Sequence, residues 1–213
     1  MDFLPEEIEK YILENTEKEP EILGKLNHET WEKVLIPRML SGHLQGRVLS
    51  MLSHMIKPKT ILEIGTYTGY SAICLAEGLQ TGGRLHTIDI NEELEAMVNS
   101  YIENANLKNI IINHIGNAME IIPTLPEIFD LVFIDADKTN YSNYFDLVFE
   151  KVNSGGYIIA DNVLWSGKVV EPTADLDTDT IALIAYSEKI NTDERVQNVL
   201  FPIRDGLMIA RKK

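Results

Sequence analysis

The sequence predicts a doubly wound α/β fold with a mostly parallel sheet. The first observation is a series of short apolar runs, each separated from the next by a segment long enough for a helix. The second is the helical pattern of the residues before the first run. Strands that alternate with helices form βαβ units, so we expect helices on both faces of the sheet. The runs are Thr60–Ile64, Leu85–Ile90, Ile110–Ile115, Phe129–Ile134 and Tyr157–Ala160.

The residues before the first strand, 1–57, are predicted to form an N-terminal helical cap. A first helix is expected to begin at Pro5, because proline suits the first turn of a helix. Ser41 is expected to cap a later helix that ends at Ile56. The α/β core follows over 58–213, and 213 residues without a Pro/Gly/Ser-rich linker indicate a single domain.

The last two apolar runs, Val196–Phe201 and Leu207–Ala210, are joined by the short connection Pro202–Gly206. Such a connection suits an antiparallel hairpin and not a crossover. Gly155 and Gly156 are predicted to turn the chain into the fifth strand. We therefore expect seven strands, with an antiparallel strand at the edge of the sheet after the parallel ones.

Charge and cysteine content exclude several classes of protein. Lys and Arg number 19 against 33 Asp and Glu, and the formal net charge of −14 disfavours a polyanionic partner such as nucleic acid. The single cysteine, Cys74, excludes internal disulfides and multi-cysteine metal centres. The acidic start is unlike a signal peptide, and no apolar stretch is long enough to span a bilayer. We expect a soluble, cytoplasmic protein without a membrane partner.

Acidic residues lie at or beside the ends of four predicted parallel strands: Glu63, Asp89, Asp135 and Asp161. Ligands of open α/β sheets bind outside the carboxyl ends of the strands. One Asp after a strand often caps the next helix, but converging acids repel one another unless cations neutralise them. The four acids therefore predict a positively charged ligand, a metal ion, or both.

The segment Glu63–Ser71, with the sequence EIGTYTGYS, connects the first strand to the first crossover helix. It is not a P-loop, and Tyr67 stands where the dinucleotide fingerprint needs its second glycine, which disfavours a nicotinamide cofactor. An adenosine-containing cofactor without phosphates fits better. Asp89 is placed to bind a ribose diol, and Glu63 or the region of Gly65 to face an ammonium or sulfonium group. S-adenosylmethionine carries all of these groups.

Asp135, Asp161 and Asn162 offer only oxygen ligands from two neighbouring strand ends. Such ligands favour a hard cation such as Mg²⁺ and leave coordination positions for water and two substrate oxygens. The alternative interpretation of the Asp-Asn pair is a simple turn. Lys138, three residues after Asp135, is predicted to reach the same pocket and to act as a general base.

Three motifs in the chain resemble those of the cation-dependent O-methyltransferases, the caffeoyl-CoA and catechol O-methyltransferase family. They are Glu63–Ser71, Phe133–Lys138 (FIDADK) with Asn140, Tyr141 and Tyr144 after it, and Asp161–Gly167 (DNVLWSG). The resemblance runs from about Pro37 to the C-terminus. It implies a Rossmann-like methyltransferase fold, S-adenosylmethionine and a divalent cation as cofactors, and a homodimer.

The resemblance also implies roles for individual residues. Asp135, Asp161 and Asn162 match metal ligands for Mg²⁺, with Mn²⁺ or Ca²⁺ as alternatives. Lys138 and Asp135 match catalytic positions, and contacts with the methyl acceptor are implied for Arg38, Lys138 and Trp165. Contacts with S-adenosylmethionine are implied for Met39, Ser41, Glu63, Gly65, Thr66, Tyr67, Ser71, Asp89, Ala118 and Asp135.

Two features of the acceptor side depart from the family pattern. Residues 204–206 read Arg-Asp-Gly where the family has Gly-Asp-Gly, and an insertion through Pro172–Thr180 is acidic. An acidic rim is unfavourable for the phosphates of coenzyme A, so we expect a small aromatic acceptor with vicinal hydroxyls. The acids of the insertion are Asp175, Asp177 and Asp179.

Two alternatives stay open at this point. A bacterial branch of the family methylates 5-hydroxyuridine in transfer RNA, which the net charge of −14 disfavours without excluding it. A non-catalytic module that binds S-adenosylmethionine is the second alternative. The predicted metal ligands together with Lys138 disfavour that module, because binding alone needs neither.

Overall fold

The computed structural model describes residues 4–172 and 176–213 of the chain. The helices are α1 (Glu6–Glu14), α2 (Glu21–Lys33), α3 (Gly42–Ile56), α4 (Tyr70–Ala76), α5 (Glu95–Asn104), α6 (Ala118–Ile121), α7 (Tyr141–Phe149) and α8 (Thr178–Thr192). The strands are β1 (Thr60–Ile64), β2 (Arg84–Asp89), β3 (Ile111–Ile115), β4 (Phe129–Ile134), β5 (Val152–Ala160), β6 (Val196–Phe201) and β7 (Leu207–Lys212). None of the described helices is long and apolar enough to cross a membrane.

The sheet has seven strands in the order β3-β2-β1-β4-β5-β7-β6, which confirms the predicted doubly wound fold. The strands β1 to β5 are parallel, and Ile64 of β1 pairs with Ile88 of β2 on one side and Ile134 of β4 on the other. The chain moves from β1 outward to β3 and then returns to the other side of β1. The strand order therefore reverses between β1 and β4, and a ligand crevice is expected outside their carboxyl ends.

The antiparallel strand is β7, as the sequence predicts, but the prediction of its place at the edge is wrong. β7 lies between β5 and β6, antiparallel to both, and β6 is the edge strand. The physical reason is burial: the first four residues of β7 are buried, whereas three central residues of β6 are exposed. A strand that is buried on both faces belongs inside the sheet.

The predicted turn at Gly155 and Gly156 is also wrong, because both glycines lie within β5. The pairing of β4 with β5 shifts register between Phe129 and Leu131, and Gly155 has a φ of 83°. The glycines thus accommodate an irregularity inside a longer strand.

The helical cap follows the prediction in outline. Helix α1 begins directly after Pro5 and buries none of its residues, whereas α2 buries Leu23, Leu26 and Thr30. Ser41 stands at the N-terminus of α3, but its side chain makes no capping hydrogen bond, so its predicted capping role is wrong.

The core lies on both faces of the sheet. Along β4, Leu131 and Phe133 contribute to the cluster that packs against α3 and α4. Val132 and Ile134 contribute to the cluster on the other face, with α7 and α8. This alternation, in which every residue is buried, is typical of a parallel strand covered on both faces.

Gly65 determines how closely the ends of β1 and β4 approach. It has a φ of 102°, and a Cβ atom at this position would lie 1.9 Å from the backbone oxygen of Asp135. A side chain here would push the two strand ends apart. The position of Asp135 therefore depends on the glycine that directly follows β1.

We expect Gly65→Ala to destabilise the protein more than Gly82→Ala. Gly82 also has a positive φ, 74°, but a Cβ atom there would meet nothing within 4 Å. Gly82→Ala should lower the free energy of unfolding by about 1–2 kcal/mol through backbone strain alone. Gly65→Ala should lower it by about 1–3 kcal/mol more, because the methyl group overpacks the strand ends. Urea denaturation measures both, and equal losses would contradict the close approach.

Candidate active site

A large cavity lies outside the carboxyl ends of the parallel strands, and residues between α2 and α3 form part of its lining. Its volume of about 1820 Å³ exceeds the roughly 300–1,000 Å³ of an ordinary small-ligand site, so it has room for two ligands. Its lining includes every sequence-predicted site residue except Glu63: Arg38, Met39, Ser41, Gly65, Thr66, Tyr67, Ser71, Asp89, Ala118, Asp135, Lys138, Asp161, Asn162 and Trp165.

Glu63 lies beneath the floor of the cavity and is fully buried. Its Oε2 accepts a hydrogen bond of 2.5 Å from the Thr87 hydroxyl, which in turn lies 2.5 Å from the hydroxyl of Thr66. Its Oε1 is buried without a hydrogen-bond partner. Burial raises the pKa of Glu63 to about 8. A negative charge on this carboxylate would therefore be costly in the ligand-free protein.

Asp89 ends β2 at the edge of the cavity. Its Oδ2 accepts a hydrogen bond from the backbone N–H of Tyr67 at 2.7 Å, and its Oδ1 accepts one from Asn91 at 2.9 Å. The first bond holds the loop after β1, where Tyr67 has a left-handed φ of 50°. Asp89 thus positions the loop and also lines the cavity.

The carboxyl ends of β4 and β5 bring together a cluster of oxygen atoms around the side chain of Lys138. Its Nζ donates hydrogen bonds to Asp135 Oδ1 at 2.9 Å, Asn162 Oδ1 at 2.8 Å and Tyr141 Oη at 2.6 Å. Lys138 is 8% exposed. The side-chain nitrogen of Lys138 is thus surrounded by three oxygen atoms, a position that suits a positive charge.

Asp161, beside this cluster, is a buried carboxylate. Its Oδ1 accepts a hydrogen bond from the backbone N–H of Asn162 at 2.7 Å, and its Oδ2 accepts one from Gln45 Nε2 at 2.5 Å. Burial, together with the charge of Asp135, raises the pKa of Asp161 to about 7. Tyr141 donates from its hydroxyl to the Asp161 backbone oxygen at 3.1 Å, and burial raises the pKa of Tyr141 well above its usual value.

The chain after β5 contains several residues in the left-handed backbone region. Asn162 has a φ of 59°, Trp165 of 44° and Ser166 of 56°. Such conformations are uncommon outside glycine and gather at functional sites. They turn the Asn162 amide toward Lys138 and place the Trp165 ring 5.7 Å from the same ammonium.

The chemistry of the cluster fits a hard cation. Among the described residues, no three Asp, Glu, His or Cys side chains are arranged to hold a metal ion. The cluster instead combines the carboxylates of Asp135 and Asp161 with the amide oxygen of Asn162. An all-oxygen set with two negative charges suits Mg²⁺, and the cation that the structure shows there is the Lys138 ammonium.

The predicted acidic rim is only partly present. Asp177 caps α8, where its Oδ1 accepts from the Thr180 N–H at 2.8 Å, and its Oδ2 pairs with Lys168 at 2.6 Å. That ion pair offsets its charge. Asp179 lines the cavity, and Asp175 lies outside the described residues.

Sequence reasoning assigned no role to Gln45 and Tyr141, although both contact the predicted metal ligands. A signal for Gln45 was present in the sequence. Gln45 lies four and eight residues before Leu49 and Ser53, on the buried face of α3. A polar side chain at this spacing on a buried helical face needs a partner.

A sequence model described as O-methyltransferase matches residues 13–213 of the chain. A caffeoyl-CoA O-methyltransferase from Stellaria longipes is 30% identical, over 97% of this chain and 90% of the plant enzyme. These matches cover the cap from within α1 and the whole α/β core.

Solved structures give the same result. An O-methyltransferase from Bacillus cereus in complex with SAH is 29% identical with a TM-score of 0.90, and the match covers 97% of each chain. The O-methyltransferase TomG from Streptomyces achromogenes, in complex with SAM, is 29% identical with a TM-score of 0.87, over 97% of this chain and 96% of TomG.

The raised pKa of Glu63 predicts how stability depends on pH. The folded protein holds a proton on Glu63 up to about pH 8, whereas the unfolded chain releases it near pH 4.5. The free energy of unfolding should therefore fall as the pH rises through this window. In Glu63→Gln the fall should be shallower, by up to about 1.4 kcal/mol per pH unit.

Urea denaturation of the ligand-free protein between pH 5 and about 8 measures this slope. Glu103→Gln, which removes an exposed acid paired with Lys108, is the control and should keep the original slope. An unchanged slope in Glu63→Gln would show that the buried carboxyl does not titrate in this range.

Proposed function

The chain belongs to the O-methyltransferase family, and we propose that it transfers the methyl group of S-adenosylmethionine to one hydroxyl of a small aromatic vicinal diol, with a divalent cation as cofactor. The oxygen cluster around the Lys138 ammonium carries this proposal. A non-catalytic module that only binds S-adenosylmethionine does not need two carboxylates, an amide and a lysine at the base of its cavity.

The donor is assigned to the side of the cavity near β1 and β2. The relatives TomG and the Bacillus cereus enzyme, in complex with SAM and SAH, support S-adenosylmethionine as the donor. Asp89 would bind the ribose hydroxyls, and Glu63 beneath the floor would supply negative charge near the sulfonium or ammonium group. Other contacts are assigned to Met39, Ser41, Gly65, Thr66, Tyr67, Ser71, Ala118 and Asp135.

The acceptor is assigned to the side near β4 and β5. Asp135, Asp161 and Asn162 would hold the cation, Mg²⁺ with Mn²⁺ or Ca²⁺ as alternatives. When bound, the cation would supply positive charge that stabilises a deprotonated hydroxyl. Trp165 would pack against the acceptor ring, and Arg38 at the mouth of the cavity would contact its outer end.

The transfer itself is a displacement at carbon. A lone pair of the acceptor oxygen forms the new bond to the methyl carbon while the carbon–sulfur bond breaks and leaves neutral S-adenosylhomocysteine. The hydroxyl proton would pass to Lys138 Nζ in its neutral amine form, which a divalent cation bound beside it would favour by displacing the proton of the ammonium to solvent. The residues of the cavity accelerate this step by holding donor and acceptor in line.

The charges around the cavity support a small acceptor. Lys33 pairs with Glu29 at 2.9 Å, and Lys168 pairs with Asp177. Among the described residues that line the cavity, Arg38 and Arg204 have no carboxylate within ion-pair distance, and two such cations are too few for the many phosphates of an RNA. Several relatives are named for caffeoyl-CoA, an acceptor that carries the phosphates of coenzyme A. Those phosphates would also find few unpaired cations around this cavity.

We also propose that the protein is a homodimer. The family resemblance implied this assembly. Met51 and Met55 are exposed at 61% and 73%, one turn apart on α3. Exposed apolar side chains grouped on one helix face suit a subunit contact.

Chelation should abolish methyl transfer. After dialysis against EDTA, the protein should be inactive toward a diol, and Mg²⁺ or Mn²⁺ should restore activity, because the acceptor hydroxyl, with a pKa near 10, otherwise stays protonated. Asp161→Ala and Asn162→Ala should be similarly inactive while binding S-adenosylmethionine normally. Full activity in excess EDTA would refute the metal requirement.

Asp89→Ala should weaken S-adenosylmethionine binding by about 1.5–3 kcal/mol, the range for a lost hydrogen bond to a charged acceptor. Calorimetry measures the dissociation constant. Asp193→Ala is the matched control: Asp193 Oδ1 also accepts from the backbone N–H two residues later at 2.9 Å, in a turn remote from the cavity. If Asp89→Ala binds S-adenosylmethionine with unchanged affinity, Asp89 holds the loop after β1 but does not bind the ribose.

Small catechols such as caffeate or 3,4-dihydroxybenzoate should be methylated at rates that hardly change between about 50 and 200 mM salt, because few ion pairs form. Lys138→Ala should lower the rate by about 10²–10⁴ as a lost general base. A radiolabelled methyl assay measures both. If the protein ignores every diol and caffeoyl-CoA but labels RNA from a strain that lacks it, in a salt-sensitive reaction, the acceptor proposal is wrong.

A further inference from the structure

The carboxylate of Asp161 is held by a side chain from a distant part of the chain. Asp161 is 3% exposed and Gln45, on α3, is 1% exposed. Gln45 Nε2 donates to Asp161 Oδ2 at 2.5 Å. The other oxygen, Oδ1, accepts from the backbone N–H of Asn162. Each oxygen thus has one protein donor that fixes the plane of the carboxylate.

Arg204 determines which way the Gln45 amide points. Its Nη1 donates to Gln45 Oε1 at 2.8 Å and also to the backbone oxygen of Ser41. A guanidinium can only donate and an ionised carboxylate can only accept. The amide oxygen must therefore face Arg204, and the amide nitrogen must face Asp161.

Arg204 lies in the connection between β6 and β7 and has a left-handed φ of 50°. A glycine would adopt this conformation at lower cost. A strained residue whose side chain reaches across to the N-terminus of α3 points to a use for that side chain. The polar side chain that Arg204 reaches there is Gln45.

We propose that Gln45 and Arg204 are positioning residues, which hold the Asp161 carboxylate in the orientation that binds the divalent cation. The proposal rests on the proposed function, because it assumes that Asp161 is a metal ligand. Gln45 and Arg204 act through Asp161 and not on the substrates. Groups that orient metal ligands affect metal affinity by about 10–100-fold.

The test measures Mn²⁺ binding to the ligand-free protein by electron paramagnetic resonance of the free ion. Gln45→Met keeps the side-chain length but loses the donor, and should weaken Mn²⁺ binding by about 10–100-fold. Asp161→Ala should abolish binding, which shows that the signal reports this site. Calorimetry should give an S-adenosylhomocysteine affinity within about twofold of the original for Gln45→Met, which a general loss of structure would not.

Arg204→Gly is the second variant and relieves the left-handed backbone while freeing the Gln45 amide. It should remain folded and should weaken Mn²⁺ binding in the same direction. Gln80→Met is the matched control, since Gln80 at the surface also donates from Nε2, to the Lys57 backbone oxygen at 2.5 Å, and Mn²⁺ affinity should not change.

The outcomes separate this proposal from the proposed function. Unchanged Mn²⁺ affinity in Gln45→Met and Arg204→Gly, with normal binding in the unaltered protein, would overturn the positioning role alone. Failure of the unaltered protein to bind Mn²⁺ would overturn the metal site and this proposal together.

Discussion

The need for positive charge at the carboxyl ends of β4 and β5 governs this structure. Asp135 and Asp161 lie close enough for the charge of one to raise the pKa of the other, and Asp161 is almost completely buried. Two such carboxylates are stable only beside a cation. In the ligand-free protein the Lys138 ammonium fills this need, and its own burial is acceptable because three oxygens surround it.

The fold brings the two carboxylates together and also places the Lys138 ammonium beside them. Parallel pairing of β1, β4 and β5 brings their carboxyl ends to one edge of the sheet. Because Gly65 has no side chain, the backbone of Asp135 can lie against it at the ends of β1 and β4. Residues directly after a strand cannot move away from this edge without breaking the sheet. The left-handed Asn162 then turns its amide toward Lys138. Local strain is thus balanced by a cluster that the sheet holds rigid.

The sequence predicted the central strands β1 and β4 well because they are largely buried on both faces and therefore consist mainly of apolar residues. β1 and β4 have the predicted boundaries, and the strand-end acids other than Glu63 line the cavity. The edge position of β7 and the extent of β5 were predicted wrongly, since both depend on pairing between distant strands. The position of Gln45 on a buried helical face indicates that its amide needs a partner, but the partner, Asp161, lies 116 residues away and no local pattern identifies it.

Each half of the cavity has a buried acid with a raised pKa beside it. Glu63 on the β1 side and Asp161 on the β5 side are buried acids whose pKa values are raised to about 8 and about 7, chiefly by burial. An acid held in this way destabilises the ligand-free fold when it is ionised, and a cation bound beside it removes that penalty. Ligands that bind only the folded protein stabilise it further by mass action. Under the proposed function, a bound sulfonium and a bound divalent cation would each remove the cost of ionising the neighbouring acid, and the central strands β1 and β4, largely buried on both faces, would supply the stability that offsets this cost in the ligand-free protein.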